Sequence, residues 1–119
     1  MSFRGPLGRL VAGVPGAQGA IIADGEGEAV DQVGLIDDYD LKVIGAHKGV
    51  ILYNLRRVAA GLGGDRLREI VITTARARIL VLPVTDEYYL VLALDRSALL
   101  GRALSAARRC AQTLAKEIA

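Results

Sequence analysis

Apolar residues recur along this chain in two rhythms, one helical and one strand-like, and glycine or proline marks most of the changes between them. From Phe3 to Val14, the residues Leu7, Leu10, Val11 and Val14 fall at helical spacing and leave Arg4 and Arg9 for solvent. Gly5, Pro6 and Gly8 weaken the beginning of that segment, so the pattern predicts a short helix from about Leu7. Val14-Pro15-Gly16 ends it, because proline cannot continue a helix and glycine permits the turn. An apolar run from Gln18 to Asp24 follows, with Ile21 and Ile22 at its centre, and Gly25-Glu26-Gly27 closes it. This reads as a strand, a tight glycine turn and a second strand, Glu28–Val33. In the second strand Ala29, Asp31 and Val33 alternate only weakly with Glu28, Val30 and Gln32, which suits an edge position with one wet face.

Helical spacing returns from about Tyr39 to Leu62. Asp37, Asp38 and Asp40 stand at its start, where acidic side chains cap free N–H groups and favour the positive end of the helix dipole. Gly61-Leu62-Gly63-Gly64 reads as its C-terminal cap. Three strands are predicted next: Leu67–Thr73, Arg78–Leu82 and Tyr88–Leu94. Thr74-Ala75-Arg76 and Val84-Thr85-Asp86 are short enough for hairpins, so these strands should be antiparallel neighbours. The last is almost wholly apolar and should lie centrally with both faces covered. Asp95 or Ser97 is expected to cap a final helix from Ala98 to about Ile118. Its apolar stripe of Leu100, Ala103/Leu104, Ala107, Cys110/Ala111, Leu114 and Ile118 opposes a polar stripe of Arg102, Ser105, Arg109, Gln112 and Lys116. The order α-β-β-α-β-β-β-α, without repeat or linker, predicts a single α+β domain over residues 1–119.

The predicted central helix has few polar faces. Ile44, Ile51, Leu55, Val58 and Leu62 share one face, which is expected to pack on the sheet. The opposite face holds Ala46, Gly49, Tyr53 and Ala60, with Lys42, Arg56 and Arg57 beside them. A lone surface helix should show a charged back. Ala and Gly are tolerated on exposed faces, and that is one reading. The sharper one is that a second helix or a partner protein covers this face, because small apolar residues with Tyr and Arg have the composition of an interface. The residues expected to touch a partner are Ala46, Val50, Tyr53, Asn54, Arg57 and Ala60.

Composition narrows the class. A chain of 119 residues that is 52% hydrophobic can bury one core and does not read as disordered. Aromatic residues make up only 4%, so the core must come from Ile, Leu, Val and Ala. A net charge of +2 gives little support for the basic stripe of a nucleic-acid binder. Cys110 is the only cysteine, so no intramolecular disulfide points to secretion. Met1 to Arg9 does not read as a signal peptide. The longest strongly apolar runs, Ile79–Leu82 and Tyr88–Leu94, are far short of the roughly 20 residues that span a bilayer. A cytoplasmic protein with no membrane insertion is the expectation.

The candidate chemistry removes functions rather than adding them. Gly61, Gly63 and Gly64 are followed by Asp65 and Arg66, not by the Lys and hydroxyl of a phosphate-binding loop. Asp37, Asp38 and Asp40 suit a solvated loop before a helix better than a metal site, and no histidine stands at ligand spacing for zinc. His47, the only histidine, has no identifiable nucleophile beside it and reads as a partly buried or interface residue. Cys110 reads as a small core residue. Arg56 and Arg57 are contact candidates, and Arg76 and Arg78 are either contacts or solvated turn residues. No catalytic residue, cofactor or metal is expected, and the chain does not read as an enzyme.

Two segments carry a family resemblance. Val14-Pro15-Gly16-Ala17-Gln18-Gly19-Ala20-Ile21-Ile22-Ala23-Asp24-Gly25-Glu26-Gly27 takes a short helix into a first hairpin. Ile79-Leu80-Val81-Leu82-Pro83-Val84, followed by Tyr88-Tyr89-Leu90-Val91-Leu92-Ala93-Leu94-Asp95, delivers the last helix. With the order of elements, these segments resemble the roadblock/dynein light chain family over essentially the whole chain. The resemblance implies a profilin-like fold, a five-stranded antiparallel sheet with one long helix on one face and two helices on the other. It implies a homodimer in which the strand Leu67, Arg68, Glu69, Ile70, Val71, Ile72, Thr73 pairs with its copy and the helices Tyr39–Leu62 lie side by side. Bacterial members of the gliding-motility type, to which this chain is similar, act with small Ras-like GTPases and promote hydrolysis by reshaping the GTPase without an arginine finger. Eukaryotic members serve as structural adaptors, which is the alternative role. A small-molecule sensor ranks last, since the sequence shows no aromatic or paired polar pocket markers.

Overall fold

A computed structural model describes residues 2–26, 28–34, 57, 60–61 and 67–118. Helix α1 spans Arg4–Gly13 and therefore starts before Leu7. Pro6 does not block this start, because it falls in the first turn, where a backbone N–H has no partner to lose. A distant residue holds the helix entry: Asp31 Oδ2 accepts from the Phe3 N–H at 3.0 Å. Closer by, Ser2 Oγ accepts from the Arg4 N–H at 3.3 Å.

The strands are β1 (Ala17–Asp24), β2 (Ala29–Gly34), β3 (Ile70–Thr73), β4 (Ala77–Pro83) and β5 (Tyr88–Asp95). They form one antiparallel sheet in the order β2-β1-β5-β4-β3, with the most apolar strand at its centre and β2 at an edge, as the pattern predicts. Side chains write the three tight connections. Asp24 Oδ1 accepts from the Glu26 and Glu28 N–H groups, both at 3.0 Å. Thr74 Oγ1 accepts from the Ala77 N–H at 3.1 Å, and Thr85 Oγ1 from those of Glu87 and Tyr88 at 3.2 Å. Such short polar side chains replace a backbone partner inside a turn.

Helix α2, Leu100–Ile118, begins two positions later than the spacing predicts. Asp95 Oδ1 accepts from the Ser97 N–H at 3.3 Å, and the Asp95 carbonyl accepts from the Ala98 N–H at 3.1 Å. Residues 95–98 therefore close a turn of their own, and neither Asp95 nor Ser97 caps the helix. Of the stripe expected to be buried, Ala103, Ala107, Cys110, Ala111 and Leu114 are buried, while Leu100, Leu104 and Ile118 are half-buried at its margins.

The period of two along each strand sorts the core into two halves. On one side Ala20, Ile22, Leu80, Leu82, Leu90, Leu92 and Leu94 pack under α1 and α2. On the other, Ile21, Ala23, Ile79, Val81, Tyr89, Val91 and Ala93 are equally dry, each at most 7% exposed. The predicted helix Tyr39–Leu62 lies outside the described residues, apart from Arg57, Ala60 and Gly61, which are helical. Its apolar stripe Ile44, Ile51, Leu55, Val58 and Leu62, the acids Asp37, Asp38 and Asp40, and His47 also lie outside them.

Candidate partner interface

The segment expected to pair with a second copy ends the sheet. Strand β3 pairs with β4 through Ile70↔Val81, Val71↔Leu80, Ile72↔Ile79 and Thr73↔Arg78. Among the described residues no strand lies on its other side. Antiparallel pairs alternate between bonded and non-bonded. Since the Thr74 N–H donates to the Ala77 carbonyl at 2.9 Å, the bonded positions toward β4 are Ile72 and Ile70. The backbone groups of Val71 and Thr73 therefore point outward. Side chains follow the same alternation: Ile70 and Ile72 pack into the second half of the core, while Val71 is 38% exposed.

The strand is shorter than the predicted Leu67–Thr73. Residues 67–69 leave the ladder, and the Glu69 carboxylate is bound at both oxygens by Arg108 of α2, whose Nε donates to Oε2 at 3.3 Å and whose Nη2 pairs with Oε1. The carboxylate raises the Arg108 pKa further. This ion pair joins the middle of α2 to the residue just before the edge strand, and sequence spacing held no signal for it. Leu67 packs against the second half of the core, and Arg68 is exposed. A groove of about 430 Å³ opens beside this corner, with Leu82, Val84, Ala111 and Ala115 among its walls.

Of the six residues expected to touch a partner, the structure describes Arg57 and Ala60, both helical and exposed. Ala46, Val50, Tyr53 and Asn54 lie outside the described residues. An alanine and an arginine left open to solvent on a helix fit a surface that another molecule can approach closely. Arg78 departs from the expectation of a contact or solvated turn residue. It stands within β4, its Nη1 donates to the Ala98 carbonyl at 3.4 Å, and its Nε is buried with no hydrogen-bond acceptor among the described residues. Arg76 is exposed in the turn.

Two further shifted groups, unlike Arg108, sit in the protein interior. Burial pushes the Tyr89 phenol up to about 12, with the nearby charge of Asp24 adding to the shift. Burial likewise pushes the Cys110 thiol up to about 11, so its thiolate is scarce at neutral pH. Among the described residues no group of His, Cys, Asp or Glu has the arrangement of a metal site. No described helix is long and apolar enough to cross a membrane.

Residues 7–94 match the model of the Roadblock/LC7 domain. No curated protein sequence matches the chain. Among solved structures, the gliding protein MglB from Thermus thermophilus superposes with a TM-score of 0.86 at 21% identity, covering 96% of this chain and 86% of that one. A Roadblock/LC7 domain from Streptomyces avermitilis gives 0.84 at 18% identity, over 95% and 94% of the two chains. Profilin II from Acanthamoeba castellanii gives 0.66 at 13% identity, over 98% of each. These likenesses agree with the sheet order and with the two helices on one face, and the chain belongs to the Roadblock/LC7 family.

Proposed function

We propose that this chain is a non-catalytic homodimeric regulator that binds a small Ras-like GTPase and modulates its hydrolysis or its location. The observation that carries the reading is the edge of β3, which no strand among the described residues covers and whose outward backbone groups at Val71 and Thr73 can pair with the same strand of a second copy. An antiparallel pairing of that edge about a two-fold axis makes one continuous sheet from two chains. The family resemblance implies that the helical segments containing Arg57 and Ala60 then lie side by side, with Ala46, Val50, Tyr53 and Asn54 completing the platform. The likeness to MglB favours a GTPase as the occupant of that platform. Regulation then requires different affinities for the two nucleotide states of the GTPase, since a partner that binds both equally shifts neither.

Size-exclusion chromatography with light scattering tests this directly. The chain alone should run at the mass of two copies. Mixed with a Ras-like GTPase from its own source, it should shift when the GTPase carries a GTP analogue and not when it carries GDP. Ala60→Arg, on an exposed helical position, should abolish the shift while the dimer and the circular dichroism spectrum stay unchanged. A dimer that treats both nucleotide forms alike would mark an adaptor instead.

A further inference from the structure

The chain's charges are almost balanced in number, yet the fold does not mix them. Helices α1 and α2 lie side by side on one face of the sheet. Together they carry Arg4, Arg9, Arg102, Arg108, Arg109 and Lys116 against the single carboxylate of Glu117. Two of these cations are neutralised, Arg4 by Asp31 of β2 at 3.8 Å and Arg108 by Glu69 just before β3. Arg9, Arg102, Arg109 and Lys116 are exposed and have no carboxylate at ion-pair distance among the described residues.

Their layout is extended. Arg102, Arg109 and Lys116 recur every seventh residue, so they form a line along α2 with steps of about 10 Å. Arg9 stands across from Arg109 on the other wall of a shallow groove of about 280 Å³ between the helices. Little rises between them. Gly5, Ala12, Gly13 and Gly101 are all exposed, and a Cβ added at Gly13 or Gly101 would meet nothing within 4 Å. At the start of α2, Leu99 is 70% exposed beside Arg102.

We propose that the outer surface of α1 and α2 docks peripherally on an anionic lipid bilayer. A low cationic surface spread over two helices matches a broad sheet of negative charge, and basic residues near such a surface each add to the attraction. The cations are not gathered around one cavity, as recognition of a single acidic peptide would favour. Leu99 adds an apolar side chain at the rim that can reach the headgroup region. The surface is complete in one chain. Under the dimer reading it is doubled, because a two-fold axis perpendicular to the sheet turns both helix pairs to the same side.

Co-sedimentation of the full chain with vesicles tests the proposal. One set is phosphatidylcholine alone; in the other about a third of the lipid is phosphatidylserine. Partitioning should rise about tenfold or more with the anionic lipid and collapse in high salt. The double variant Arg9→Glu/Arg109→Glu should lose about tenfold in binding while keeping the parent's melting temperature. Arg76→Glu, in the β3–β4 turn, should bind as the parent does. Equal partitioning to both vesicle types, or full binding by the double variant, would overturn the proposal. So would binding to a polyglutamate peptide with none to vesicles, which would assign the surface to an acidic protein. Light scattering on the same samples separates the two readings: a monomer that still sediments removes the dimer and leaves the lipid surface, and a dimer that ignores the vesicles does the reverse.

Discussion

At Gly16 the backbone turns with φ at +90°, and a Cβ placed there would stand 2.9 Å from the Cβ of Ala98. The Gly16 carbonyl also accepts from the Asp95 N–H at 2.8 Å, so the turn after α1 is tied to the turn before α2. Both the dihedral and the contact exclude a side chain. Gly16→Ala should destabilise the domain by about 1–3 kcal/mol, read as a lower urea midpoint at unchanged slope. Tyr89 and Cys110 set a second expectation. Their folded pKa values, about 12 and about 11, lie above the ordinary 10.0 and 9.0, so the folded chain holds protons that the unfolded chain has released. Stability must therefore fall as pH rises, from about pH 9 for the thiol and from about pH 10 for the phenol, by an amount on the order of 2 kcal/mol for each. Denaturation series between pH 8 and 12 check this, and Tyr89→Phe should flatten the upper part of the decline.

The elements owe their positions to small side chains as much as to large ones. Helix α2 buries Ala103, Ala107 and Ala111 against the sheet, so its axis approaches closely and Leu114, with no exposed surface, anchors the end. Leu114→Ala should open a cavity and cost about 2–5 kcal/mol, measured by chemical denaturation. The ion pair joining α2 to the edge strand is a different case. Arg108 is more than half exposed, so Glu69→Gln should leave the chemical-denaturation midpoint of the isolated domain almost unchanged. A larger loss would mean that the pair holds the start of β3 in place.

For the molecule as a whole, the decisive feature is which parts are left open. The edge of β3 faces outward with the backbone groups of Val71 and Thr73, while Ile70 and Ile72 hold the strand to β4. Val71→Pro removes an outward N–H and leaves the ladder to β4 intact. In light scattering it should lower the mass from two chains to one, with the strand signature of the protomer retained. A dimer that survives this substitution would place its interface elsewhere. The opposite, helical side gathers cations that the composition hides, because a net charge of +2 says nothing about where the charges lie.

Period and punctuation alone determined a good deal of this protein. Short apolar runs bounded by turn residues located all five strands, because a strand buried on both faces reads as a continuous apolar run and an edge strand as a broken one. The apolar stripe from Leu100 to Ile118, opposed by Arg102, Ser105, Arg109, Gln112 and Lys116, oriented α2, because only one face of a helix can be buried. Glycine and proline marked the turns they make possible. The boundaries were less legible. Helix α1 starts at Arg4 because Asp31, far along the chain, holds its entry, and α2 waits for Leu100 because Asp95 first closes a turn. Only the tertiary structure decided that Arg78 is drawn into the fold, that Arg108 meets Glu69, and that the cations of two separate helices share one surface. Each of these depends on residues brought together across tens of positions, and local pattern cannot carry that information.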